Sequence, residues 1–244
     1  ASQAFKDKRA ILYYEEITPE EIVEIALSKG SKSIISSYNE PLITTEWAKE
    51  IFKLAKEKGL KTGYVSNGYV TEEVLDYLDG YIDAYKIDLK SFKEENYRVL
   101  GGKLKYVLEG IERVFKRGLW LEIVTLIVPD YNDSEEELKE IARFIKSVSP
   151  FIPWHVTAFH PDYKMQDRDR TSVKKIIRAR EIGLEEGLKF VYGGNVWGMS
   201  EIESTYCFSC GELLIKREIF FVYENKLKDG KCPKCNTEIM GIWK

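Results

Sequence analysis

Apolar positions recur along this chain with two alternating periods. Thr18-Pro19-Glu20-Glu21 reads as an N-cap, a proline at the first helical position and a capping-box Glu, followed by Ile22, Ile25 and Ala26 at helical spacing up to Gly30. The rhythm then repeats. It predicts strands over Ser33–Ser37, Lys61–Val65, Ala84–Leu89, Leu121–Val128, Trp154–Phe159 and Lys189–Tyr192. Between them it predicts helices over Thr44–Lys58, Thr71–Leu78, a short one after Ser91 (with Ser91 to Glu94 as a capping box), Leu104–Gly118, Ser134–Val148 and Thr171–Gly187. Short strands alternating with helices imply right-handed βαβ units and a parallel sheet. The run "IVTLIV" at 123–128 reads as a strand buried on both faces. About six units are legible, where a complete TIM barrel would need eight, so a partial barrel or an open sheet is expected.

The rhythm stops near residue 200. The stretch from Ser200 onward carries Cys207-x2-Cys210 and Cys232-x2-Cys235, joined by a predicted hairpin of Leu213–Lys216 and Phe220–Tyr223. Two domains are therefore expected, 1–200 and 201–244.

Composition narrows the class. The chain has 244 residues, 44% of them hydrophobic and 13% aromatic, enough for one sizeable core. A formal charge of -3 gives no basic field, so nucleic acid is not an expected partner of the whole chain. No apolar run is long enough for a membrane span and no signal-like start is present, which makes the cytoplasm the expected compartment. Abundant Lys and Glu, with Gln only at Gln3 and Gln166, lean towards a thermophile's protein. All four cysteines fall in the C-terminal knuckles, which excludes a disulfide framework across the main body.

In parallel α/β folds ligands gather at the C-terminal ends of the strands. Here those ends read Tyr38-Asn39-Glu40-Pro41, Ser66-Asn67-Gly68-Tyr69, Asp88-Leu89-Lys90-Ser91, Pro129-Asp130-Tyr131-Asn132, His160-Pro161-Asp162 and Gly193-Gly194-Asn195. Singly, such residues serve as turn formers, helix caps or solvated loop acids. Around one rim they could converge on one ligand. His155 and His160 are at odd spacing on one strand, so they should face opposite sides, His155 structurally and His160 at the rim. Neither common phosphate-cradling glycine motif is present. Glu40 suits an ammonium or a ribose hydroxyl, Lys90 a carboxylate, and Gly193-Gly194 the close approach of an aromatic base. Together these groups describe S-adenosylmethionine (SAM), among other ligands. Tyr38, Tyr69 and Tyr163 are candidates for lining a substrate path.

At these residues the chain resembles a radical SAM enzyme of the pyruvate formate-lyase activating type, and most of all the radical SAM member of the AmmeMemoRadiSam system. "SYNEP" stands where that superfamily has its Gly-Gly-Glu-type motif, "SNGY" resembles its Thr-Asn-Gly segment, "YKIDLKS" its Asp-Leu-Lys motif and "VPDYND" its Val-Pro-Gly segment. His160 of "AFHP" stands where activases have a histidine near the SAM ribose, and "VYGGNV" resembles the last strand with its adenine-side glycines. The resemblance covers roughly residues 9–200. It implies a partial (β/α)6 TIM-like barrel lacking its first strand, plus a small zinc-ribbon or rubredoxin-like domain. It implies SAM held by Asn39, Glu40, Pro41, Ser66, Asn67, Asp88, Lys90, His160, Gly193 and Gly194, with Glu40 on the ammonium. It further implies a [4Fe–4S] cluster that cleaves SAM to a 5′-deoxyadenosyl radical for hydrogen abstraction, and a protein substrate or a partner from the AmmeMemoRadiSam system. The family's Cys-x3-Cys-x2-Cys loop is not in this sequence, so the chain is expected to be a shortened form of a longer protein, the alternative being a relative that has lost the cluster. The cluster and the radical activity are expected only of the longer form. Val65 and Val124 also depart from the family, at places where activases often carry an Asp and a basic residue.

Each C-terminal knuckle can supply two thiolates to a tetrahedral metal, and Gly211 and Asn236 behind them tolerate positive φ. A closed four-thiolate set of Cys207, Cys210, Cys232 and Cys235 suits structural zinc, with a single rubredoxin-type iron as the alternative. It leaves no open iron site for SAM. Two other functions compete. One is a ribbon that binds RNA or a partner protein through Lys216, Arg217, Lys226, Lys228, Lys231 and Lys234 on an inactive barrel. The other is a metal-dependent lyase using Glu40, Asp88 and His160.

Overall fold

The computed structural model describes residues 16–162 and 165–243. These form two compact units, one of residues 16–87 with 106–121, the other of residues 88–105 with 122–243.

The first unit begins with α1 (Pro19–Ser28), whose capping box forms as the sequence predicts: Thr18 N–H donates to Glu21 and Glu21 N–H to the Thr18 hydroxyl. Strand β1 (Ser33–Ser36) leads through a 3₁₀ turn (Pro41–Thr44) into α2 (Thr45–Glu57), then β2 (Lys61–Ser66), α3 (Glu72–Tyr77) and β3 (Ala84–Asp88). α5 (Leu104–Lys116) is almost wholly in this unit. β1, β2 and β3 are parallel neighbours, with Tyr64 opposite Tyr85. Helix α2 buries Ala48, Ile51, Phe52 and Ala55, and the Phe52 ring meets Tyr64 at 5.5 Å. Each large apolar side chain so buried contributes about 1.5–3 kcal/mol.

The second unit holds α4 (Glu94–Val99), most of β4 (Trp120–Ile127), α6 (Glu135–Val148), β5 (Trp154–Ala158), α7 (Val173–Glu185), β6 (Val191–Gly194) and α8 (Ser200–Glu203). β4, β5 and β6 are again parallel neighbours in chain order. Trp154 is fully buried and its indole N–H donates to the Thr125 hydroxyl at 2.9 Å. An antiparallel sheet of β7 (Thr205–Tyr206), β8 (Leu213–Glu218) and β9 (Phe221–Asn225) follows, with β9 at its edge and every β9 residue exposed. The hydrophobic core around Cys207, Cys232, Leu214 and Ile239 includes Phe190 and Tyr192.

Three sequence expectations are corrected. Ser91 does not cap α4: Lys93 is the N-cap, and the Ser91 hydroxyl donates instead to Glu137, whose same oxygen accepts the Phe92 N–H at 2.8 Å. Gly193 and Gly194 lie within β6 rather than beyond it. The strands are not all buried on both faces. β1 is half-exposed, and in β4 Leu126 is 39% exposed because it faces a cavity.

Candidate functional site

In the first unit, the Tyr38–Asn39 peptide bond is cis and Glu40 opens the 3₁₀ turn as its N-cap. The Glu40 side chain turns towards the end of β2. Its Oε1 accepts the Ser66 hydroxyl at 2.7 Å and the Leu42 N–H at 3.3 Å, and its Oε2 accepts the Asn67 N–H at 2.7 Å. Ser66 Oγ in turn accepts the Gly68 N–H, and Asn67 Oδ1 accepts the Tyr69 N–H. Glu40, Pro41, Ser66 and Asn67 are thus gathered at one place, with Pro41 buried and the Asn39 side chain exposed. A carboxylate has about four acceptor positions. Three are used here, and one remains on Oε2. The Tyr85 hydroxyl is buried in the field of Glu40 with no hydrogen-bond partner among the described residues. Burial above all pushes its phenol pKa up.

In the second unit, Asp88 is the last residue of β3 and accepts the Lys90 ammonium at 2.8 Å. Lys90, expected to be available to a ligand carboxylate, therefore has a carboxylate of the chain itself. Asn132, 1% exposed, joins the two strand-end loops. Its Nδ2 donates to the Lys90 and Leu126 carbonyls, and its Oδ1 accepts the Val128 N–H.

His160, Gly193 and Gly194 come together on a cavity of about 680 Å³. His160 is exposed, with Asp162 at 3.6 Å. A β-carbon on Gly194 would lie 3.1 Å from the Thr157 methyl, a tight approach that glycine avoids. His155 lines the same cavity, against expectation. β5 ends at Ala158, so the alternation of faces does not carry on to His160. His155 Nε2 lies 2.8 Å from a Glu122 carboxylate oxygen, and its ring stacks on Tyr192 at 5.2 Å. Tyr192 shares a hydrogen bond with Thr205, and the Arg217 guanidinium lies 4.6 Å over its ring. Glu122, Tyr192 and this position of Arg217 were not picked out from the sequence. Their contacts span strands far apart in the chain. Tyr38 is 81% exposed, Tyr69 meets Tyr106 edge-on, and Tyr163 lies outside the described residues.

The four cysteine sulfurs lie within 4.8 Å of one another. Cys207 and Cys235 are 3.6 Å apart, Cys210 and Cys232 3.7 Å. Tetrahedral bonds near 2.3 Å put sulfurs about 3.8 Å apart, so the spacing suits one bound metal. The knuckles repeat one pattern. Cys207 N–H donates to Glu212 and Gly211 N–H to Cys207, while Cys232 N–H donates to Thr237 and Asn236 N–H to Cys232. Gly211 and Asn236 both have positive φ, as expected. The Thr237 hydroxyl and backbone N–H hold the Cys235 thiol down to about 6. At Cys210 the Glu212 amide lowers the pKa, but burial and the neighbouring thiols push it up to about 12. Among the described residues this is the one convergent metal-ligating group. Glu40, Asp88 and His160, the set for a lyase, are each engaged locally instead. Lys226 and Lys234 lie within 3.4 and 3.9 Å of Glu212, which dilutes the basic character of the ribbon.

Parallel strands alternating with helices define an α/β fold. The chain belongs to the radical SAM superfamily, whose family model matches residues 4–145. Protein MJ0808 of Methanocaldococcus jannaschii is 38% identical over 229 residues, 93% of this chain and 68% of that protein. A pyruvate formate-lyase-activating enzyme of Clostridium pasteurianum is 26% identical over 185 residues, 66% of this chain and 75% of the enzyme. A solved domain of such an activating enzyme from Bacteroides vulgatus shares the fold with a TM-score of 0.60 at 18% identity, covering 68% of this chain and all of that domain. No helix among the described residues is long and apolar enough to cross a membrane.

Proposed function

We propose that this chain is the SAM-binding core of a radical SAM enzyme of the activating-enzyme type. In this reading Glu40 receives the SAM ammonium, and Asn39, Pro41, Ser66 and Asn67 shape the loop around it. Lys90, steadied by Asp88, faces the SAM carboxylate. His160 takes the ribose side, and Gly193 and Gly194 the adenine side. The observation that carries the reading is Glu40, a carboxylate fixed by three chain donors with one acceptor position left. Two glycines without side chains in the cavity lining also fit a flat base. The family's chemistry is reductive cleavage of SAM at a [4Fe–4S] cluster, giving a radical that abstracts hydrogen. The cysteines of this sequence do not fit that cluster, because all four already form one closed set. Cleavage is therefore assigned to a form carrying the cluster-binding cysteines, and this chain's residues are read as binding and orienting SAM.

The 201–244 segment is read as a metal ribbon, zinc or iron, on a partial TIM-like barrel. A protein substrate fits the activating enzymes to which the chain is similar, and the AmmeMemoRadiSam system supplies a candidate partner. The test is calorimetric titration of SAM into the full chain and into Glu40→Gln, with circular dichroism as the fold control. The expected result is SAM binding by the chain and roughly tenfold weaker binding by the variant. Equal binding by a folded variant, or none by the parent chain, would refute the assignment.

A further inference from the structure

One part of the cavity lining is built for something other than the base and ribose assigned above. Arg217 on β8 belongs to it, half-buried. Its Nε donates to the Glu203 carbonyl at 2.7 Å and its backbone N–H to the Ser204 hydroxyl at 3.2 Å, so the side chain is fixed from both ends. The guanidinium lies over the Tyr192 ring, 4.6 Å from its centre, and the Tyr192 hydroxyl is itself tied to Thr205. The two terminal nitrogens of Arg217 have no hydrogen-bond acceptor among the described residues. A held guanidinium with a free two-nitrogen edge is a bidentate receptor for a planar or tetrahedral oxyanion.

The charges around it agree. His155, His160 and Arg170 also line the cavity. Its one lining carboxylate, Glu203, is 6% exposed and accepts the Ile219 N–H. Glu122, beyond the wall, is paired with His155. The remaining lining is largely apolar, including Leu126, Phe159 and Ile219, with Trp197 and Phe220 exposed at the rim.

We propose that Arg217, stacked on Tyr192, forms a second binding site in this cavity for a small molecule that carries a carboxylate or phosphate on a partly apolar body. The site stands on its own geometry. Only its standing as a second site, beside one for SAM, rests on the radical SAM reading.

The test titrates benzoate and phenyl phosphate, with benzyl alcohol as the neutral control, into the full chain, Arg217→Gln and Arg217→Lys. Binding is followed by calorimetry and by the indole N–H resonance of Trp197, assigned with Trp197→Phe. The parent chain should bind at least one anion in preference to the alcohol, more weakly as salt is added, and with a shift at Trp197. The tighter of the two anions identifies the oxyanion. Arg217→Gln should bind it roughly tenfold or more weakly, with Arg217→Lys in between. SAM titrated separately should bind parent and Arg217→Gln alike. Anion binding by a folded Arg217→Gln equal to the parent's would overturn the proposal, as would no anion binding to the parent. So would shifts that bypass Trp197, a readout that needs no variant at Arg217. If Arg217→Gln lost SAM as well, Arg217 would belong to the SAM site and the second site would be withdrawn.

Discussion

Gly110, inside α5, lies directly against the carbonyl oxygen of Gly68, so that a β-carbon at 110 would overlap it. The helix is thereby seated on the Ser66-Asn67-Gly68 turn that Glu40 holds. On a free helix, glycine to alanine gains about 1 kcal/mol in propensity. Here the obstacle is backbone, which cannot rotate away. Gly110→Ala is expected to destabilise the chain by about 1–3 kcal/mol and lower its thermal midpoint. A midpoint at or above the parent's would mean that α5 is not packed this way.

Asp83 accepts the Lys56 ammonium at 2.7 Å and the Thr62 N–H at 2.9 Å. Burial alone would raise its pKa, but these two partners outweigh it and hold the carboxyl below its usual range. A depressed folded pKa contributes stability that is present above the unfolded value, about 3.9, and lost as pH falls through the folded value. Urea midpoints of the parent should therefore drop steeply below about pH 4. Asp83→Asn should cost about 1 kcal/mol at neutral pH and flatten that drop.

The sulfur spacing predicts about one metal per chain, measurable by elemental analysis. Cys232→Ser removes a buried ligand, and its metal content should fall towards zero. Iron in the site would colour the protein and zinc would not. A colourless, metal-free parent with four reactive thiols would rule out the metal ribbon.

Glu137 is a buried carboxylate, 1% exposed, that serves Ser91 and Phe92 from across the loop. Its other oxygen has no hydrogen-bond partner among the described residues, with the Lys93 ammonium 3.4 Å away. Glu137→Ala leaves a hydroxyl and an amide without their acceptor and should cost about 2–3 kcal/mol in urea unfolding, at an unchanged slope.

Local chemistry was the most legible part of the sequence. Thr18-Pro19-Glu20-Glu21 forms its capping box, Ser134 caps α6, and the cysteine spacing brings four sulfurs together. Partners far along the chain were not legible. Ser91 carries a capping-box pattern, yet a carboxylate 46 residues away takes its hydroxyl. His155 obeys the two-residue alternation of its strand, but nothing local says that its face opens on a cavity or that Glu122 lies opposite. Arg217 reads as one more surface charge in a basic run until the fold lays it over Tyr192. Glu40 was found from its position at a strand end. That its carboxylate also ties β1 to β2 depends on Ser66 and Asn67, 26 and 27 residues on.

The aromatic run of β9 has a consequence for handling. Phe220 to Tyr223 stand 60 to 94% exposed beside a sheet edge whose far side meets only solvent among the described residues. Such an edge invites other chains to add a strand. Glu218, Glu224 and Lys226 bracket the run with charge. In concentrated solution those three side chains act as gatekeepers, and screening them with salt would favour self-association of the molecules along this one seam.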